Sequence, residues 1–307
     1  MNIRSFHLFF GGLNRNYFQR LFIIMLEYFP MKGITHTIPK RANVLSSFGR
    51  TSEPAISRRF SVLVWNIHKA KNTQWAADFQ LLLQGKDLVL LQEAFLRPAM
   101  LNILQQTPHL RWDLAAGFTR RLDAIDIGVM TGCRANPRSL FFLRSPVHEP
   151  LVRLPKMAIG TRYALEFSDQ ELLVLNVHAI NFVRINKFKR QMQQLEAELD
   201  DHAGPILLGG DFNTWLASRA DFLREMTGNL RMDLATFQPD RRSRYFGQVL
   251  DHVFVRGLKI VSASCHYHIR SSDHQPIELV LEGEESGVRR QETGVGRQNE
   301  QRTGKTI

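Results

Sequence analysis

Cysteine is scarce. The 307 residues hold two, Cys133 and Cys265, and neither stands in a C-x-x-C pair, which excludes a zinc knuckle or a disulfide framework. A reducing, cytoplasmic setting is the expectation that follows. Long apolar runs are lacking as well. The stretch 21–26 is apolar, but Arg20 and Glu27 close it, and a transmembrane helix needs roughly 20 such residues. Asn14, Arg15 and Asn16 interrupt what would have to be the apolar region of a signal peptide, and no small-residue cleavage site follows. Met31 offers an alternative initiator. No internal repeat sets a period.

Acidic residues are also in deficit, 29 against 40 Lys and Arg, for a net charge of +11. The imbalance is uneven. Residues 1–60 hold nine basic side chains against Glu27 and Glu53 alone. A basic arm invites contact with nucleic acid or weak contact with an anionic membrane surface. A solvated charge run explains it as well.

The chain does have enough apolar residue, 44%, to bury a sizeable core. Residues 1–59 read as a loosely ordered basic extension, 60–282 as one α/β domain, and 283–307 as a disordered tail rich in Gly, Glu, Gln and Arg. Within the domain, 61–65, 88–91, 126–131, 161–167, 172–177, 206–208, 249–255 and 277–281 read as strands. Residues 73–84, with Thr73 as N-cap and Gly85 as stop, read as a helix, as do 97–106. The clearest helix is 185–201, where Ile185, Phe188, Met192, Leu195 and Leu199 step by three and four.

Polar clusters sit where these strands end. Asn66 and His68 follow the first and Gln92-Glu93 the second. Asn176, His178 and Asn181 come after a third, and Gly209-Gly210-Asp211-Phe212-Asn213 after a fourth. Asp251 opens the penultimate strand, and Ser272-Asp273-His274-Gln275-Pro276 precedes the last. Exits of buried strands are where α/β proteins place their chemistry. Each cluster has a plain alternative as a turn, a cap or a core polar group, but six such coincidences in one domain are hard to sustain. Carboxylate and amide oxygens suit Mg²⁺ or Mn²⁺ over zinc. Histidines beside carboxylates suit hydrolysis of a phosphate ester, which needs charge neutralisation, an activated water and donors to the phosphoryl oxygens.

In order and approximate spacing, Asn66, Gln92-Glu93, His178, Gly210-Asp211-Phe212-Asn213, Asp251 and Ser272-Asp273-His274-x-Pro276 resemble the endonuclease/exonuclease/phosphatase superfamily. The resemblance spans about residues 60–282 and looks closest to an uncharacterised bacterial branch. It implies a four-layer α/β sandwich, two packed mixed β-sheets flanked by helices, and a metal-dependent phosphodiesterase, most simply a nuclease. A phosphomonoesterase or phospholipid-head-group hydrolase of the same superfamily is the alternative, and a non-catalytic nucleic-acid-binding module the remaining one. By matching position Glu93 resembles the main metal ligand, helped by Asn66. His274 resembles the histidine that activates water or steadies the phosphate, oriented by Asp251, while Asp273 supports that orientation or approaches the metal. Asp211 resembles the carboxylate that handles protons, with Asn213 holding phosphate or metal. His178, with Asn181, resembles the phosphate-contacting pair. His68 and His178 depart from the Asp and Tyr of abasic-site endonucleases, which argues against that specificity. Arg242 and Arg244 lie in a basic loop ahead of Asp251, which reads either as a solvated charge run or as a contact to the substrate phosphate.

Overall fold

The computed structural model describes residues 36–283 apart from Leu151. The apolar run 21–26, the alternative start at Met31 and the tail after Gly283 lie outside the described residues. In chain order the first elements are β1 (His36–Thr37), β2 (Leu45–Phe48), β3 (Arg59–Asn66), α1 (Trp75–Leu83), β4 (Leu88–Phe95), α2 (Pro98–Gln105), β5 (Arg111–Arg120) and β6 (Ile125–Cys133). Then come β7 (Ser139–Arg144), β8 (Met157–Leu165), β9 (Ser168–His178), α3 (Ile185–Asp200), β10 (Ile206–Asp211) and α4 (Ala217–Asn229). The last are β11 (Asp233–Leu234), β12 (Arg244–Tyr245), β13 (Gln248–Val249), β14 (Asp251–Arg256), β15 (Leu258–Cys265) and β16 (Ile277–Gly283).

Two mixed sheets result. One runs β1-β5-β6-β4-β3-β16-β15, with β2 also on β5, and the other β11-β14-β10-β9-β8-β7. In each sheet a parallel pair lies at the centre, β3 with β4 and β9 with β10. The alternation of β3 explains the layering, since successive side chains of a strand point to opposite faces. Val62 and Val64 face the second sheet and meet Leu90, Val174, Leu207 and Val253. Leu63 and Trp65 face outward and are covered by Phe79 and Leu83 of α1 and Met100 of α2. On the far side Phe188, Met192 and Leu195 of α3 and Leu223 of α4 cover Leu175 and Leu208. Each such buried side chain contributes about 1.5–3 kcal/mol. The four layers expected are therefore present. One polar link crosses the inter-sheet core: Gln92 Nε2 donates to Asn176 Oδ1 at 2.7 Å, and Asn176 Nδ2 donates to Met130 O at 2.9 Å.

The structure corrects the boundaries in several places. Residues 36–59 are not a loose lead-in. β2 pairs with β5 from Leu45↔Ala115 to Phe48↔Trp112, and Ile56 bridges to Leu165. Thr73 does not cap α1, whose N-cap is Gln74. The strand expected over 249–255 is broken at Leu250 between β13 and β14. Strands β5, β7 and β15 and helix α4 were not expected. β15 is an edge strand that buries only Leu258 fully, and α4 buries just Arg219, Leu223, Met226 and Thr227. Neither shows the continuous apolar face that marks an element in sequence.

Candidate active site

The pairing register alone gathers the candidate residues. Asn66, the last residue of β3, stands beside Gln92 in the final pair of β3 with β4. His178 stands beside Asp211 where β9 and β10 end together, and Asp251 opens antiparallel β14 opposite Asp211. The 271–276 segment leads into β16, which pairs with β3. Six polar positions distant in sequence therefore share one edge of the sandwich.

Asp211 is the centre. Its Oδ2 accepts from Asn66 Nδ2 at 3.0 Å, and its Oδ1 accepts from the Asn213 backbone N–H at 2.8 Å. His178 Nε2 lies 3.5 Å and His274 Nε2 3.9 Å from Oδ2. The preceding glycine is obligatory. Gly210 has φ +138°, and a β-carbon there would come within 2.0 Å of Val177 O. Asn213, at φ 51°, ties the loop back through Nδ2 to Ala179 O at 2.9 Å.

His274 is held from both ends. Its Nδ1 faces Asp251 at 2.8 Å from Oδ2 and 3.0 Å from Oδ1, and its carbonyl accepts from Trp65 Nε1 at 2.9 Å. Burial opposes a charged ring, but Asp251 and Asp211 outweigh it and lift the His274 pKa well above the ordinary value. Burial is also the main cause that raises Asp211 far above an ordinary carboxyl; His274 opposes the rise and Asp251 adds to it. For His178, burial first and Lys156 second hold the ring neutral.

Glu93 reaches the site through a distortion. The register of β4 against β6 slips between Leu91 and Ala94, and Glu93 adopts φ 54°. A bulge of this kind re-aims a side chain, and a non-glycine residue there costs about 1–3 kcal/mol. Burial disfavours the Glu93 carboxylate, yet Lys69 first and Lys156 second overcompensate and hold its pKa well below the usual range. Its Oε2 is buried and has no hydrogen-bond partner among the described residues. A buried, ionised carboxylate oxygen of this kind fits a hard divalent cation. Asp251, Asp211 and His274 each also bring one ligand atom within 4.8 Å of the others. Both Asp251 oxygens are already turned on His274, so this trio reads first as a proton-handling set.

The expected metal ligands are not one simple cluster. Asn66 spends Nδ2 on Asp211 and accepts the His68 N–H at Oδ1, 3.1 Å. Asp273 Oδ1 lies 3.4 Å from His68 Nδ1, across the same turn whose Lys69 reaches Glu93. Asn181 accepts at Oδ1 from Trp215 Nε1 at 2.7 Å and donates its backbone N–H to Glu149 Oε1 at 3.1 Å. The arginines differ most from expectation. Arg242 is buried: Nε and Nη2 donate to Asp240 at 2.9 Å, and Nη1 donates to Asp251 O at 2.9 Å. Its donors support the backbone beneath the dyad and do not reach toward a substrate. Arg244 pairs with Asp240 at 2.8 Å and donates to Gly247 O.

Sequence reasoning missed Lys69 and the Lys156–Glu149 pair, 3.5 Å apart. Lys69 follows Asn66 by three residues, and that closeness to a strand-end polar cluster was the available signal. Nothing local marks Lys156, which arrives from the turn ahead of β8.

A sequence profile of the Endonuclease/Exonuclease/phosphatase family matches residues 63–274. A UPF0294 protein of Yersinia enterocolitica is 35% identical over 218 residues, covering 70% of this chain and 81% of the relative. Among solved structures, an endonuclease/exonuclease/phosphatase family protein from Leptotrichia buccalis aligns with TM-score 0.55 at 15% identity, over 73% of this chain and 99% of that one. The human Nocturnin catalytic domain, solved with a bound sulfate anion, aligns with TM-score 0.53 at 15% identity, over 80% and 100%. At these identities the likeness to the solved structures is one of fold.

Proposed function

This chain belongs to the Endonuclease/Exonuclease/phosphatase family, whose members are phosphoester hydrolases, and from that premise we propose that it is a divalent-metal-dependent phosphodiesterase, most simply a nuclease. The observation that carries the reading is the Asp211 hub, where one buried carboxylate is met by Asn66, Asn213, His178 and the His274–Asp251 dyad. Glu93, with Asn66 and Asp273, would hold the cation. Such an ion, when bound, neutralises phosphoryl oxygens as a Lewis acid.

The chain's own residues divide the remaining work. His274, kept charged by Asp251, presents Nε2–H as a donor to a phosphoryl oxygen. Asp211, with its raised proton affinity, accepts at Oδ2 the proton that the attacking water loses. Neutral His178 lies beside Asp211 and supplies a donor to the phosphate, while Asn213 holds the Asp211 loop in place through Nδ2. The Asn66 amide fixes the Asp211 carboxylate so that both tasks meet at one point.

The test is a substrate panel with Mg²⁺ or Mn²⁺, comparing bis(p-nitrophenyl) phosphate, DNA and RNA with p-nitrophenyl phosphate and a phospholipid. The reading predicts that the diesters are cleaved fastest and that EDTA stops cleavage. Preference for the monoester or the phospholipid would overturn the phosphodiesterase assignment.

A further inference from the structure

The turn leaving β3 is built against the grain of its sequence. His68, Lys69 and Ala70 take φ of 47°, 56° and 51°, so three successive side-chain-bearing residues occupy the left-handed region that a β-carbon disfavours. The surroundings hold them there. Arg97 Nη2 donates to the carbonyls of Lys69 at 2.6 Å and Ala70 at 2.5 Å. Asn66 Oδ1 accepts the His68 N–H, and the Ala70 N–H donates to Ile67 O at 2.8 Å. Strain that persists under such constraint points to a functional placement.

What the turn places is the Lys69 ammonium, 3.5 Å from Glu93 Oε2. That distance is longer than an ordinary hydrogen bond, and among the described residues Glu93 Oε2 has no hydrogen-bond partner. Glu93, the carboxylate beside Lys69, is the one assigned to the cation. The Lys69 side chain is 26% exposed and that of Glu93 9%, so the ammonium lies on the open side of the carboxylate.

We propose that Lys69 is a phosphate-binding residue of this site, an ammonium held beside Glu93 on a strained turn so that it contacts a non-bridging oxygen of the bound phosphoryl group. Its substrate class is therefore anionic phosphoesters in general. It shares Glu93's charge with the cation and opposes cation binding. The inference rests on the phosphoester reading above, but its test does not need turnover.

The experiment titrates inorganic phosphate by calorimetry into the full chain loaded with Mn²⁺, for wild type, Lys69→Gln and Lys69→Arg. Mn²⁺ affinity is read separately by electron paramagnetic resonance. The expected result is phosphate binding weakened about tenfold or more in Lys69→Gln, the scale of one charge-assisted hydrogen bond, and partly restored in Lys69→Arg. Mn²⁺ affinity is expected to be unchanged or tighter. Wild-type phosphate affinity in Lys69→Gln would overturn the proposal. So would a tenfold loss of Mn²⁺ affinity with phosphate binding intact, because Lys69 would then serve only to order Glu93. If Lys69→Gln loses phosphate while wild type hydrolyses no ester in the panel, Lys69 stands as a phosphate ligand and the hydrolase reading falls.

Discussion

His274 Nδ1 lies 2.8 Å from one oxygen of Asp251 and 3.0 Å from the other, although the two residues come from different loops and meet only because β14 and β16 start at the same edge. This contact fixes which ring nitrogen faces Asp211. Asp251→Asn removes the charge that keeps the ring protonated. We expect kcat to fall by about 10²- to 10³-fold, the usual worth of one donor aimed at developing transition-state charge. KM should stay within about threefold of wild type. Steady-state kinetics with far-ultraviolet circular dichroism as a folding control would check it.

Asp211 carries the second prediction. Burial is the main cause that pushes its carboxyl up to about 7. In the metal-free protein, ¹³C NMR of the side-chain carboxyl should show a midpoint far above that of a solvent-exposed Asp, moving in step with the His274 ring because the two share a field. A midpoint in the ordinary carboxyl range would remove Asp211 as proton acceptor.

Asp240 sets a pH dependence of stability. Its hydrogen bond with Arg242 is the main cause holding its folded pKa below the ordinary value. A depressed carboxyl contributes stability that is fully present above the unfolded value, about 3.9. That contribution disappears as pH falls through the folded value. The gap in melting temperature between wild type and Asp240→Asn should therefore be constant above about pH 5 and shrink at lower pH. A gap that widens toward acid would contradict the assignment.

Gly210 gives a steric prediction. With φ +138° and Val177 O only 2.0 Å from where a β-carbon would sit, Gly210→Ala should lower unfolding stability by about 3 kcal/mol or more, the upper end for backbone strain. Urea denaturation would measure it. Gly228, where an added β-carbon meets nothing within 4 Å, is the matched control, expected to gain slightly from replacement by Ala in α4.

Much of this was legible in the chain. The central strands β3, β4, β9 and β10 are buried on both faces and therefore read as apolar runs, and the polar residues that end them are the ones the register brings together. Pairing was not legible, so the residues alone could not say that Asp211 would become the hub; only the resemblance pointed to Asp251 as the residue that orients His274. The bulge that turns Glu93 inward has no local signal, since Gln92-Glu93 looks like any strand end. Arg242 misled for a related reason. Its charge suggested a substrate contact, but Asp240 two residues earlier and the Asp251 carbonyl use its donors inside the fold. The left-handed turn at 68–70 contains no glycine, the usual marker of such geometry, and so Lys69 went unnoticed.

The most direct measurement of the central claim is hydrolysis of bis(p-nitrophenyl) phosphate by wild type and His274→Ala, each with Mn²⁺ and with EDTA, alongside Mn²⁺ binding to both proteins. The account predicts metal-dependent turnover in wild type and a loss of at least about 10²-fold in His274→Ala, with Mn²⁺ affinity unchanged. Turnover that survives EDTA, or that is the same in His274→Ala as in wild type, would contradict it.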